Sequence, residues 1–119
     1  AKFIQLIEGR EENLQAEARE QMLLVGAELL RNAFIHAQPS EVRLVVACKR
    51  RQLILSVQDN GCGIDAAILS AGGCSGHWGL TGIRERAASL KSKVTFRSVP
   101  GSTIVTLTVP AAVAYRLDN

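Results

Sequence analysis

Two pairs of alternating segments, each pair joined by a few residues, constrain this 119-residue chain more than any other feature. Val42, Leu44, Val46 and Cys48 alternate with more polar neighbours, as do Leu53, Leu55 and Val57, and Lys49-Arg50-Arg51 lies between the two runs. Two further alternating runs occupy Lys93–Ser98 and Thr103–Val109. A period of two presents one face of each segment to a core, and such short connections read as hairpins. Adjacent hairpins exclude a doubly wound fold, in which single strands alternate with single helices.

The rest of the chain supplies helices. The short apolar run Lys2–Ile7, bounded by Glu8-Gly9, predicts a first strand. From about Asn13 to Ala37, Met22, Gly26, Leu29, Ala33 and Ala37 share one side at helical spacing, with Leu23, Leu30 and Phe34 beside them. Pro39 ends this helix because the residue before a proline avoids the α conformation. Leu80, Ile83, Ala87 and Leu90 predict a second helix over Thr81–Leu90. Between the hairpins, Gly61, Gly63, Gly72, Gly73, Gly76 and Gly79 crowd one stretch, which reads as loop with one helical turn at Asp65–Leu69. The order strand, helix, strand, strand, loop, helix, strand, strand predicts an α+β two-layer sandwich on a mixed sheet.

Composition fits a single domain, residues 1–119. Hydrophobic residues make up 47% and aromatics only 4%, so the core is expected to be aliphatic. The net charge of +3 is too small an excess for a nucleic-acid binder that works by neutralising phosphates. Residues 1–40 hold 4 basic and 6 acidic groups and residues 41–119 hold 10 and 5, so an anionic ligand is favoured by the second part. Cys48, Cys62 and Cys74 form no C-x-x-C pair and read as reduced, cytosolic thiols. No signal-peptide pattern is visible, and the longest uncharged run, Ala66–Ile83, is interrupted by five glycines, so no direct membrane contact is expected.

Three constellations carry possible chemistry. Glu28 and Asn32 lie four apart on the first helix, with His36 a turn further, at the edge of the apolar stripe. A solvated face would carry the same trio, but oxygen ligands at a core edge suit Mg²⁺, which takes few protein oxygens and completes its shell from phosphates and water. Asp59-Asn60-Gly61-Cys62-Gly63 follows an apolar strand. It reads as a turn, or as a carboxylate that accepts from an exocyclic amine beside glycines that admit a flat ligand. Gly76-His77-Trp78-Gly79-Leu80 opens the second helix, where exposed N–H groups and the helix dipole favour an anion such as phosphate. Arg84 and Arg86 follow in its first two turns, within reach of phosphate oxygens or on an exposed charged face.

In this order, and with Gly101-Ser102-Thr103 before the last strand, the motifs resemble the ATP-binding domain shared by gyrase-type, heat-shock-chaperone, mismatch-repair and histidine-kinase ATPases, the GHKL or Bergerat fold. The string Gly79 to Ala87 resembles bacterial sensor histidine kinases with a short ATP lid. His77-Trp78-Gly79-Leu80 and the ending Val109 to Tyr115 are similar to kinases of the two-component regulator propeller type. The resemblance implies a mixed, mostly antiparallel sheet covered on one face by helices. It implies that Asp59 accepts from the adenine amino group, that Asn32 ligates Mg²⁺ and that Glu28 holds the position of a general base. Gly61, Gly63, Gly76, Gly79 and Leu80 would shape the adenine pocket and lid, with His36 beside the nucleotide and Thr103 supporting the adenine through the Asp59 network.

Three positions depart from the family pattern: Ile35 stands where Lys or Arg is frequent, Ser102 where Gly precedes the Thr, and Lys91-Ser92 where Gly follows the second helix. The expected function is a cytoplasmic catalytic domain of a membrane-bound sensor kinase, excised from a longer chain. It would bind Mg·ATP and pass the γ-phosphate to a histidine on a separate dimerisation domain of the same kinase, and so indirectly to a response regulator. The alternatives are a degenerate lobe that serves as an interaction module, and an anti-sigma-factor-like serine kinase.

Overall fold

A computed structural model describes residues 1–10, 13–62 and 80–116 and contains the expected order of elements. These are β1 (Lys2–Glu8), α1 (Ala16–His36), β2 (Glu41–Cys48), β3 (Gln52–Asp59), α2 (Leu80–Ser89), β4 (Lys93–Val99), β5 (Ser102–Pro110) and a four-residue α3 (Ala111–Ala114). The strands form one five-stranded sheet in the order β1-β2-β3-β5-β4. β2–β3, β3–β5 and β4–β5 pair antiparallel, while β1 joins β2 in parallel. A parallel neighbour requires a crossover, and α1 supplies it.

The two longer helices form the second layer. α1 packs on β2 and β3 and against α2, which packs on β4. Leu53, Leu55 and Val57 of β3 stand opposite Val109, Leu107 and Val105 of β5, and all six are buried. Ala18, Met22, Val25, Leu29 and Ala33 of α1 and Leu80, Ile83 and Ala87 of α2 close over them, so the buried core is aliphatic among the described residues. The apolar stripe of α1 differs from the sequence expectation on one flank. Leu23 and Phe34 are 59% and 41% exposed, because α1 sits over β2 and β3 and leaves β1 at an uncovered edge. Phe34 instead meets Phe3 of β1, with ring centroids 6.1 Å apart.

α1 begins at Ala16, later than the apolar periodicity suggests, and its N-cap Gln15 makes no side-chain cap bond. The chain's other end holds it there. The Gln15 N–H donates to the Ala114 carbonyl, its Nε2 to the Tyr115 carbonyl, and Leu14 forms a bridge with Tyr115. The Tyr115 hydroxyl in turn donates to the Lys49 carbonyl at 2.6 Å, fixing the β2–β3 turn. Its phenol pKa is raised by burial and by the neighbouring Cys48. α3 was not expected, since four residues are too few to display a helical period.

At the opposite end of the sheet, α1 and β3 finish together. Gly26 of α1 lies over Leu55, and Gly61, just past β3, lies against Ala37, just past α1. The helix therefore runs along β3 and brings its C-terminal turn to the Asp59–Gly61 end.

Candidate functional site

Asp59 is the last residue of β3, and the strand's alternation turns it to the helix-covered face, where it is 6% exposed. The register places it between Val42 of β2 and Thr103 of β5, and Ser98 of β4 completes the row. Thr103 is buried, and its Oγ1 shares a 2.8 Å hydrogen bond with Ser98 Oγ. A carboxyl and two hydroxyls thus end what is otherwise an aliphatic face. Among the described residues Asp59 makes one hydrogen bond, accepting at Oδ1 from the Gly61 N–H at 2.8 Å. Burial raises its pKa above the ordinary carboxylate range, and the Gly61 bond opposes that shift. The second oxygen remains as an acceptor at the end of the strand.

The turn that follows is tied down on three sides. The last carbonyls of a helix lack partners within it, and the Ala37 carbonyl just beyond α1 accepts from the Cys62 N–H at 2.9 Å. A Cβ on Gly61 would overlap that same carbonyl, so glycine at this position permits helix and turn to touch. The Gly61 carbonyl accepts from the Gly101 N–H at 2.8 Å, which joins the β4–β5 turn to the same segment. Gly101 has a φ of +90°, the left-handed conformation that favours glycine, so Ser102 can follow without itself adopting it. Asn60 makes side-chain bonds to Ser40 and Glu41 at the start of β2.

Asn32, one turn before α1 ends, is 5% exposed, and its Oδ1 accepts no hydrogen bond among the described residues. A neutral carbonyl oxygen suits Mg²⁺ as one ligand beside phosphates and water. No cluster of three or more His, Cys, Asp or Glu side chains occurs among the described residues. Glu28 lies one turn earlier. Its carboxylate is 3.8 Å from the Arg31 guanidinium and lines a cleft between α1 and α2 with Leu24, Gly82 and Arg86. Glu28 thus faces α2, whereas Asp59 lines a separate small pocket with Glu41, Arg43, Gln58, Asn60 and Gly101.

Leu80 is fully buried as the first residue of α2 and belongs to the core. Arg84 stacks 5.3 Å over the Phe96 ring, and Arg86 donates to Gln21 Oε1 at 3.0 Å. His36 closes α1, and its side chain lies outside the description. Gly63, Gly76, Gly79, Cys74, His77, Trp78 and the helical turn expected at Asp65–Leu69 also lie outside the described residues. The sequence reading assigns Ser98 no role and reads Asn60 only as part of a turn. The register of the last hairpin could have identified Ser98, since it pairs with Thr103, whereas the Asn60 contacts arise from tertiary structure.

The sequence pattern of the histidine kinase-, DNA gyrase B-, and HSP90-like ATPase family matches residues 17–113. The nitrate/nitrite sensor protein NarX of Escherichia coli K12 is 37% identical over 91 residues, which is 75% of this chain and 14% of that protein. The chain thus spans about a seventh of this curated relative's length. Among solved structures, the histidine kinase domain of the blue-light activated kinase from Erythrobacter litoralis superposes with a TM-score of 0.81 at 21% identity. It covers 94% of this chain and 56% of that one. The histidine kinase AdeS of Acinetobacter baumannii gives 0.68 at 18% identity, over 92% of this chain and 55% of that one. At these identities the two superpositions establish the shared fold.

Proposed function

Because the chain belongs to the histidine kinase-, DNA gyrase B-, and HSP90-like ATPase family, we propose that it is the Mg·ATP-binding catalytic domain of a two-component sensor histidine kinase. The observation that carries the adenine assignment is Asp59, a buried carboxyl at a strand end with one oxygen engaged by Gly61. Its other oxygen accepts a hydrogen bond from the 6-amino group of adenine. Thr103 and Ser98, beside it in the sheet, hold the polar row that supports this contact. Gly63, Gly76 and Gly79 complete the pocket and lid in this reading, with Leu80 as the lid's anchor in the core and His36 beside the nucleotide.

Asn32 offers its carbonyl oxygen to Mg²⁺. A cation held there would supply positive charge against the triphosphate. Glu28, a turn away on the same side of α1, is the candidate base for the incoming nucleophile. The γ-phosphoryl group passes in line to an imidazole nitrogen of a histidine on a separate dimerisation domain of the same kinase, ADP leaves, and a response regulator receives the group afterwards. Positioning and electrostatics supply most of the acceleration in such a transfer. The surroundings are those of a cytoplasmic part of a membrane sensor, a reading supported by the similarity to NarX. No described helix is long and apolar enough to cross a membrane.

The test is transfer of label from γ-labelled ATP to an added dimerisation domain. Acid-labile phosphohistidine is expected when both domains and Mg²⁺ are present. Glu28→Gln should keep ATP binding and slow the transfer. A variant that transfers at the wild-type rate would remove Glu28 from the chemistry. One observation favours a second reading, an interaction module that binds nucleotide poorly: Ile35 is 56% exposed at the position where a phosphate-binding Lys or Arg is frequent in the family.

A further inference from the structure

We infer that Asn60 is a positioning residue for base recognition, a clasp that holds the Asp59 carboxyl in register with the adenine edge. The inference rests on the nucleotide-binding reading above and adds a residue to it. Asn60 immediately follows Asp59, and its side chain reaches the segment between α1 and β2. Its Oδ1 accepts from the Ser40 N–H and the Glu41 N–H, both at 2.9 Å, and its Nδ2 donates to Ser40 Oγ at 2.8 Å. One side chain thus satisfies two N–H groups at the start of β2 and one hydroxyl.

Position makes these bonds consequential. β2 enters the sheet at Glu41 where β3 leaves it at Asp59, and Val42 is the register partner of Asp59. Beyond Asp59 the ladder provides no further pairing to β2 except the Asn60 N–H to the Glu41 carbonyl, which is stretched to 3.4 Å. The entry to β2 is itself irregular. Gln38 has a φ of +51°, which non-glycine residues rarely adopt, and Pro39 offers no N–H. Without the Asn60 side chain, Asp59 would keep its ladder pairing to Val42 and Thr103, but the chain just past it would be tied to the start of β2 by the stretched Asn60 N–H bond alone, and the carboxyl at the strand's end would gain freedom to shift along the adenine edge. A hydrogen bond to an exocyclic amine demands that the carboxylate stay fixed within a few tenths of an ångström. Loosening should therefore weaken discrimination of the base more than it weakens contacts to the triphosphate.

The experiment compares ATP with ITP, whose purine carries a carbonyl in place of the 6-amino group. Binding of each with Mg²⁺ is titrated calorimetrically to the 119-residue chain, to Asn60→Ala and to Asn60→Asp, with a melting curve for each protein. Asn60→Ala is expected to lose about tenfold in ATP affinity, the factor of roughly one lost charge-assisted hydrogen bond, while ITP affinity changes little. Asn60→Asp keeps an acceptor for both N–H groups and should restore most of the ATP preference. An unchanged ATP to ITP ratio in a folded Asn60→Ala variant would overturn the inference, as would equal loss for both nucleotides. If the wild-type chain binds neither nucleotide, the underlying reading fails along with the inference. If it binds ATP and Asp59→Asn abolishes that binding while Asn60→Ala leaves it intact, the inference fails alone.

Discussion

Asp59 combines two roles that oppose each other. Its burial raises the carboxyl pKa, so the folded chain holds that proton more tightly than the unfolded chain does. Stability from this group is therefore greatest below the unfolded pKa and decreases as pH rises through the higher folded value. In the proposed reading, the ionised state that would accept from adenine is the state that costs the fold. Asp59→Asn is accordingly expected to leave the melting temperature at neutral pH unchanged or higher. It should lose about 10- to 100-fold in ATP affinity, as removal of a hydrogen bond to a charged acceptor does. The same account gives a pH dependence. On acidification, wild-type ATP affinity should fall at a higher pH than an ordinary carboxylate would produce, and Asp59→Asn should lack that component. Titrations at several pH values check both. Gly61 shows the complementary constraint. A methyl group there meets the Ala37 carbonyl, so Gly61→Ala should cost about 1–3 kcal/mol in urea denaturation, the usual range for overpacking.

The elements explain how much could be read from the sequence. β2, β3, β4 and β5 each alternate with a period of two, and their expected limits fall within a residue or two of the observed strands. Asp59 stands out because the Asp59-Asn60-Gly61 turn follows an apolar alternating run, a local pattern, whereas Thr103 comes from the family resemblance, since its pairing with Asp59 joins β3 to β5 across an intervening helix and strand. The start of α1 was not legible, since pairing of residues 13–15 with residues 114–116 sets it, a contact between distant parts of the chain. The exposed flank of α1 was hidden for a related reason: periodicity marks a face as apolar without saying how many strands lie beneath it. The departure at Lys91 has a structural outcome. This residue takes a φ of +50° just past α2, where the Lys91 N–H donates to the Ala88 carbonyl, and the Ser92 N–H and hydroxyl both donate to the Ala87 carbonyl. Such helix ends favour glycine, so Lys91→Gly should stabilise the chain by about 0.5–1 kcal/mol. Gly26 is the reverse case. A Cβ there would stand 3.6 Å from Leu55, an ordinary contact, so Gly26→Ala should gain up to about 1 kcal/mol from helix propensity. Denaturant midpoints of the two variants test both signs.

At the scale of the whole molecule, the sheet separates two tasks. One end carries the chain's fastening, where Tyr115 joins the β2–β3 turn to the start of α1. The other end gathers Asp59, Thr103, Ser98, Asn60 and the close of α1 into the proposed nucleotide site. Among the described residues the fully buried core between them holds no aromatic side chain, in keeping with the sparse aromatics of the sequence. The mild basic excess after residue 40 finds a less direct use than the sequence suggested. Arg84 and Arg86 contact Phe96 and Gln21 in this structure. The account's central claim is that this chain binds ATP through Asp59, and calorimetric titration of Mg·ATP into the wild-type chain and into Asp59→Asn tests it most directly. Saturable one-to-one binding by the wild type, lost or strongly weakened in a folded Asp59→Asn variant, is predicted. No binding by the wild type, or equal affinity in the two proteins, would contradict it.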